Sequence, residues 1–197
     1  TDPTVELAKA AGAKVDQFIW GDDFAAARNE SLKRASYEWI LVLDADEMIA
    51  SNDLDAFTSL VKDRTLCTEF LQRHYTNDPR LSNFTPCRGE FPSIERDYLG
   101  FFESNCCRLF PNGEGLSFHG HVHELVEHSI HKLGRHCIRR TTVRIHHFGH
   151  TPEVKMRKHK GALYGALGQK KASLQPQDWK SFFELGVEHN CNGNPHD

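Results

Sequence analysis

The sequence predicts an α/β fold on three observations. Helix-forming and strand-forming segments alternate from the start of the chain. A continuous apolar run of strand length stands at 39–43. That run ends in a cluster of acids, Asp44-Ala45-Asp46-Glu47. Asp2 and Pro3 supply a cap and a first-turn proline for a helix in which Leu7, Ala8 and Ala11 recur at helical spacing, and Gly12 ends it. A short strand is expected at 14–20. Residues 24–35 are rich in helix formers, with Asp22 and Asp23 as candidate caps. The run at 38–43 reads as a strand buried on both faces, at the centre of a parallel sheet.

Further along, Asn52 or Asp53 caps a helix expected to reach Lys62, and 67–75 alternates as a strand. Residues 76–100 hold Pro79, Pro86, Pro92, Gly89 and Gly100 without any period, which predicts a long loop of the kind that often carries function. Strand character returns at 101–110 and again at 138–148, with a strand or irregular segment at 118–126. From Pro152 the pattern is helical, at 153–173 and 177–190, split by Pro176. Trp20, Phe24 and Trp39 are expected in the core.

The composition sets limits on function. The chain has 197 residues, enough for one domain or one domain with an appendage. It carries 24 Lys and Arg against 27 Asp and Glu, a net charge of −3, so no basic surface for nucleic acid is expected. No apolar run approaches the roughly 18 residues a membrane span needs. No basic-then-apolar leader pattern opens the sequence. Cys67, Cys87, Cys106, Cys107, Cys137 and Cys191 show no CxxC spacing and are expected as free thiols, which fits a cytoplasmic location.

Of the 13 histidines, 10 fall between His119 and His159, a first hint of a site. Gly115, His121, His123, Glu127 and Gly134 fit the spacing G-x5-H-x-H-x3-E-x6-G, which resembles the first metal motif of cupins. A cupin needs a second motif with a later histidine and an all-β chain. The sequence supplies neither. For His119, His121, His128 and His131 the ordinary reading is exposed or locally hydrogen-bonded histidine.

The acids at the end of the 38–43 run stand where open α/β sheets bind ligands, beyond a strand's carboxyl end. Asp44 and Asp46, two residues apart, could grip a hard divalent cation, which favours oxygen donors and leaves positions for phosphates. A bare D-x-D is weak evidence, but its surroundings are specific. The stretch DF-x-x-ARN-x-S-L at 23–32, followed by W-I-L-V-L-D-A-D-E at 39–47, resembles family 2 glycosyltransferases of the GT-A fold, nearest the bacterial branch with a tetratricopeptide-like tail. Arg108-Leu-Phe-Pro-Asn112 ahead of Phe118-x-Gly-x-Val-His123-Glu124, and Val143-x-Ile-x-His147-Phe-Gly149, match the same branch. The resemblance covers about residues 1–160 and continues weakly to 190.

The resemblance implies a GT-A-like mixed sheet flanked by helices over 1–151 and a helical, tetratricopeptide-like extension over 152–197. It implies metal-dependent, inverting transfer of a hexosyl unit from a nucleotide-sugar, UDP-linked, to a saccharide, lipid or protein acceptor. By position, Asp46 and His147 would hold Mn²⁺ or Mg²⁺. Asp2, Arg28, Asn29, Asp44 and His123 would face the donor, and Glu124 would be the base, with Glu103 and Glu127 as its competitors. The aromatic stretch at 98–102 is a candidate acceptor surface. The opening Thr1-Asp2-Pro3-Thr4 looks like the end of the turn that holds the nucleobase, so the family's first strand is expected to be missing and the tail to be cut short. A non-catalytic scaffold that binds protein partners through the tail is the alternative reading.

Overall fold

The computed structural model describes residues 3–149 and Gln169. Asp2, and apart from Gln169 the extension expected at 152–197, lie outside the described residues. The chain begins with helix α1 (Thr4–Ala10), closed by Gly12 at φ +84°, a left-handed conformation glycine adopts freely. Helix α2 (Phe24–Arg34) starts as expected at Asp23, whose side chain accepts the Ala26 N–H at 2.9 Å.

Strands β1 (Trp39–Leu41), β2 (Glu47–Ile49), β3 (Leu66–Thr76), β4 (Thr85–Pro86), β5 (Gly100–Pro111) and β6 (Cys137–His147) form one mixed sheet in the order β1-β5-β3-β6-β2, with β4 on β5. Only β3 and β6 pair in parallel; the other pairs are antiparallel. Helix α3 (Leu54–Thr58) is flanked by single 3₁₀ turns, the short α4 is Pro92–Glu95, and α5 is Glu127–Leu133. The expected GT-A-like architecture, a mixed sheet with flanking helices, is what forms.

The sheet is covered on both faces. Ile40, Cys67, Cys107 and Phe110 pack with Ala25 of α2 and Ile130 of α5. Phe70, Leu109, Val143 and Ile145 pack with Leu60 and, at the margin, with Trp39, Leu41 and Phe57. Burying such clusters contributes roughly 1.5–3 kcal/mol per large side chain.

Several expectations are corrected. The apolar run 38–43 is not at the centre of a parallel sheet: β1 ends the strand order and pairs antiparallel with β5. The run is apolar because Ile40 faces one cluster while Trp39 and Leu41 face the other, so both faces are covered even at the end of the order. Residues 14–20 run without helix or strand pairing among the described residues, leaving Ile19 94% and Trp20 43% exposed, so Trp20 is not core. Trp20 instead meets the Phe24 ring edge-on at 4.7 Å.

The helix expected from 52 to 62 forms as a continuous helical stretch over 51–61, α3 with a 3₁₀ turn at each end, but Asp53 makes no side-chain cap. The loop 76–100 contains β4 and α4 and is anchored by Phe91 and Glu95, both buried. Phe101 is buried beneath the Arg73 guanidinium, 4.3 Å from its ring centre, so it does not line an acceptor surface. Helix α5 was not expected. Its signal was Ile130 and Leu133 at helical spacing before Gly134, which caps the helix in the left-handed conformation and is not a metal-motif glycine.

The cupin reading fails on the fold, which is a single open mixed sheet with helices. Among the described residues no three His, Cys, Asp or Glu side chains converge closely enough to hold a metal by themselves.

Candidate functional site

Strand β1 delivers the chain to Asp44, and a tight turn, Glu47 N–H to Asp44 C=O at 3.0 Å, reverses it into β2. Strand β2 pairs with β6 in a register that sets Glu47 opposite His147, and the Phe148 N–H donates to the Asp46 carbonyl at 2.9 Å. The acidic turn and the end of β6 are therefore stitched together by backbone. The result is a cleft of about 820 Å³ lined by Arg28 from α2, Asp44, Asp46 and Glu47 from the turn, and His123, Glu124 and His147.

Two guanidinium groups converge on Asp44. Arg28 Nη2 contacts both carboxylate oxygens, at 2.9 and 3.1 Å, and Arg108 Nη2 donates at 3.1 Å. Burial alone would push Asp44 upward, but the two paired guanidiniums outweigh it and hold the carboxyl below its usual range. Arg108 also donates to Glu47 at 2.8 Å, Glu47 accepts the Asp44 N–H at 2.8 Å, and Gln72 donates to Glu47. For Glu47 the balance reverses: burial wins over Arg108 and its pKa is raised. Arg108 rises further above its ordinary value, because Glu47 and Asp44 outweigh its own desolvation.

Glu124 accepts a hydrogen bond from Arg28 Nε, which ties the expected base to the expected donor-binding arginine. Its competitors are engaged elsewhere: Glu103 pairs with Arg73 at 2.9 Å, and Glu127 accepts the Cys107 N–H at 3.1 Å. His123 lines the cleft with φ +55°, a left-handed conformation for a non-glycine residue, which costs roughly 1–2 kcal/mol.

Asn29 spends its amide on Phe118, donating to its carbonyl at 2.9 Å and accepting its N–H at 2.8 Å. It pins the segment that carries His123 and Glu124 onto α2. The histidines of the cupin-like spacing do not converge: His121 meets Asp23 at 3.0 Å while His123 lines the cleft, and outside that spacing the His119 and His128 rings lie 4.8 Å apart, tilted at 53°.

At the end of β6, His147 Nε2 stands 3.6 Å from Asp46 Oδ1. Gly149 closes the corner, and a Cβ there would lie 2.6 Å from both Asp46 Oδ2 and His147 Nε2. The corner is thus kept open by the absence of a side chain. One carboxylate and one imidazole suit Mn²⁺ or Mg²⁺ only as a partial set completed by phosphate oxygens and water, the habit of these ions at diphosphate sites. Sequence reasoning assigned no role to several residues that line the cleft, Glu47, Gln72, His74 and Arg108 among them. Glu47 and Arg108 were in the quoted motifs without a role. Gln72 and His74 sit in an ordinary-looking strand and carry no sequence signal.

Residues 1–112 match the sequence signature described as "Glycosyl transferase family 2". A TPR repeat-containing protein of Synechococcus elongatus is 36% identical over 129 residues, covering 66% of this chain and 27% of that protein. The SPbeta prophage-derived glycosyltransferase SunS of Bacillus subtilis is 27% identical over 190 residues, covering 95% of this chain and 40% of that protein. The SunS of Bacillus phage SPbeta matches over the same extent. The chain spans less than half the length of each of these relatives.

Proposed function

Because the chain belongs to glycosyltransferase family 2, we propose that it transfers a hexosyl unit from a UDP-sugar to an acceptor nucleophile, with inversion at the anomeric carbon and with Mn²⁺ or Mg²⁺ as cofactor. The observation that carries this reading is the corner where Asp46, His147 and Gly149 meet, beside two arginines gathered on Asp44.

The bound cation would neutralise charge on the diphosphate leaving group. Asp46 and His147 would hold it. Arg28 presents a planar fork suited to phosphate oxygens, and Arg108 keeps Asp44 ionised and in place. Asp44 is left to orient the ribose or sugar hydroxyls. Glu124 takes the acceptor proton; when Arg28 turns toward the diphosphate it releases this carboxylate for that task. His123, adjacent and on the cleft wall, orients the donor. Among the described residues no helix is long and apolar enough to cross a membrane, and the described cysteines are free thiols.

The test is calorimetry of UDP binding with Mn²⁺ and with EDTA, followed by UDP release from a panel of UDP-hexoses. Mn²⁺-dependent binding and turnover are expected. Equal affinity in EDTA would remove the cation from the reading, and no UDP binding under either condition would remove the donor.

A further inference from the structure

His147 is one end of a chain of side chains that runs away from the cleft. Its Nδ1 lies 2.8 Å from Nδ1 of His74, and Nε2 of His74 lies 2.7 Å from the Ser104 hydroxyl. The two imidazoles meet edge to face, 4.8 Å between centres at 80°. His74 stacks on Phe102 at 4.6 Å and 12°, which fixes its plane, and it is only 8% exposed. The backbone fixes the pair as well, because His74 and His147 are parallel register partners on β3 and β6, and His74 opposes Phe102 on β5.

Two ring nitrogens 2.8 Å apart must share one proton as donor and acceptor. If His147 carries it on Nδ1, its Nε2 presents a lone pair toward Asp46 and the open corner. If His74 carries it, His147 is protonated on Nε2 and cannot serve a cation. The Asp46 carboxylate does not force the second arrangement, since 3.6 Å exceeds a hydrogen bond. The Ser104 oxygen can accept the proton that His74 then holds on Nε2.

We propose that His74, backed by Ser104 and Phe102, is a positioning residue that accepts the Nδ1 proton of His147 and so keeps His147 Nε2 available to the divalent cation. The inference rests on the cation reading above. An imidazole ligand whose second nitrogen is fixed by a hydrogen bond is held in tautomer and orientation, and losing such a partner typically weakens metal affinity about 10–100-fold.

The test uses the full chain. Mn²⁺ binding in the presence of UDP is followed by electron paramagnetic resonance of the free ion, for wild type, His74→Phe and His74→Asn. Phenylalanine keeps a ring against Phe102 but offers no acceptor. Asparagine Oδ1 can stand in for Nδ1. Binding weakened about 10–100-fold in His74→Phe and largely restored in His74→Asn is expected. Two-bond ¹H–¹⁵N spectra of wild type with Mg²⁺ and UDP should show His147 protonated on Nδ1, which gives an answer even if a variant fails to fold. Wild-type Mn²⁺ affinity in a folded His74→Phe would overturn the inference while leaving the cation reading intact. A proton on His147 Nε2 would overturn it and also remove His147 from the cation's ligands, leaving cation-dependent UDP binding to be judged by the calorimetry above. If wild type itself binds no Mn²⁺ with UDP, the cation reading falls and takes this inference with it.

Discussion

Asp46, within the first third of the described chain, and His147, near its end, stand 3.6 Å apart because the main chain puts them there. Register pairing of β2 with β6 aligns the neighbouring Glu47 with His147, and the Phe148 N–H reaches the Asp46 carbonyl. Neither side chain has to search for the other, which lowers the entropy lost when a ligand bridges them.

Asp46→Ala should abolish Mn²⁺-dependent UDP binding, a loss of at least about 100-fold or roughly 2.7 kcal/mol. Gly149→Ala should impair the same binding, because its Cβ would fall 2.6 Å from both Asp46 and His147. Calorimetry measures both. Unchanged affinity in Gly149→Ala with the fold intact would mean that the cation sits elsewhere.

Glu124→Gln should lower kcat about 10²–10⁴-fold, the usual contribution of a positioned general base. Donor affinity should change little, since the amide is nearly isosteric and can still accept from Arg28. Glu103→Gln and Glu127→Gln should keep kcat near wild type, because these groups serve Arg73 and the Cys107 backbone. Steady-state kinetics on the three variants would reverse the assignment if Glu124→Gln alone were fully active.

Arg73 is a structural cation. It is 5% exposed and pairs with Glu90 at 2.7 Å and Glu103 at 2.9 Å, with Glu95 buried beside it at 3.7 Å. Arg73→Leu strands buried Glu95 without its cation, so a loss of about 3–5 kcal/mol is expected by urea denaturation. A loss under 1 kcal/mol would show that the 76–100 segment is held by its aromatic contacts instead.

The buried thiols of Cys67 and Cys107 and the half-buried thiol of Cys106 should be inert. Burial pushes Cys67 and Cys106 up to about 11, and Cys107 rises further. At pH 8 these are almost wholly protonated, and only the thiolate reacts. Iodoacetamide labelling read by mass spectrometry should modify exposed Cys137 first and these three only after denaturation.

The fold class, the cap at Asp23, the long strands and the identity of the acidic turn were legible in the residues alone, because those depend on local pattern and on motif spacing. The sequence placed Arg28, Asp44, Glu124 and His147 in one site through resemblance, and all four line one cleft. It misjudged β1, since an apolar run records covered faces and not position in the strand order. It missed α5, which is only seven residues long and holds two histidines among its few apolar positions. Gln72, His74, Arg108 and Gly149 acquire their places only through pairing between strands far apart in the chain. Which nitrogen of His147 points to the corner, and which carboxylate each arginine takes, are matters of register and burial, and no local pattern in the residues encodes them.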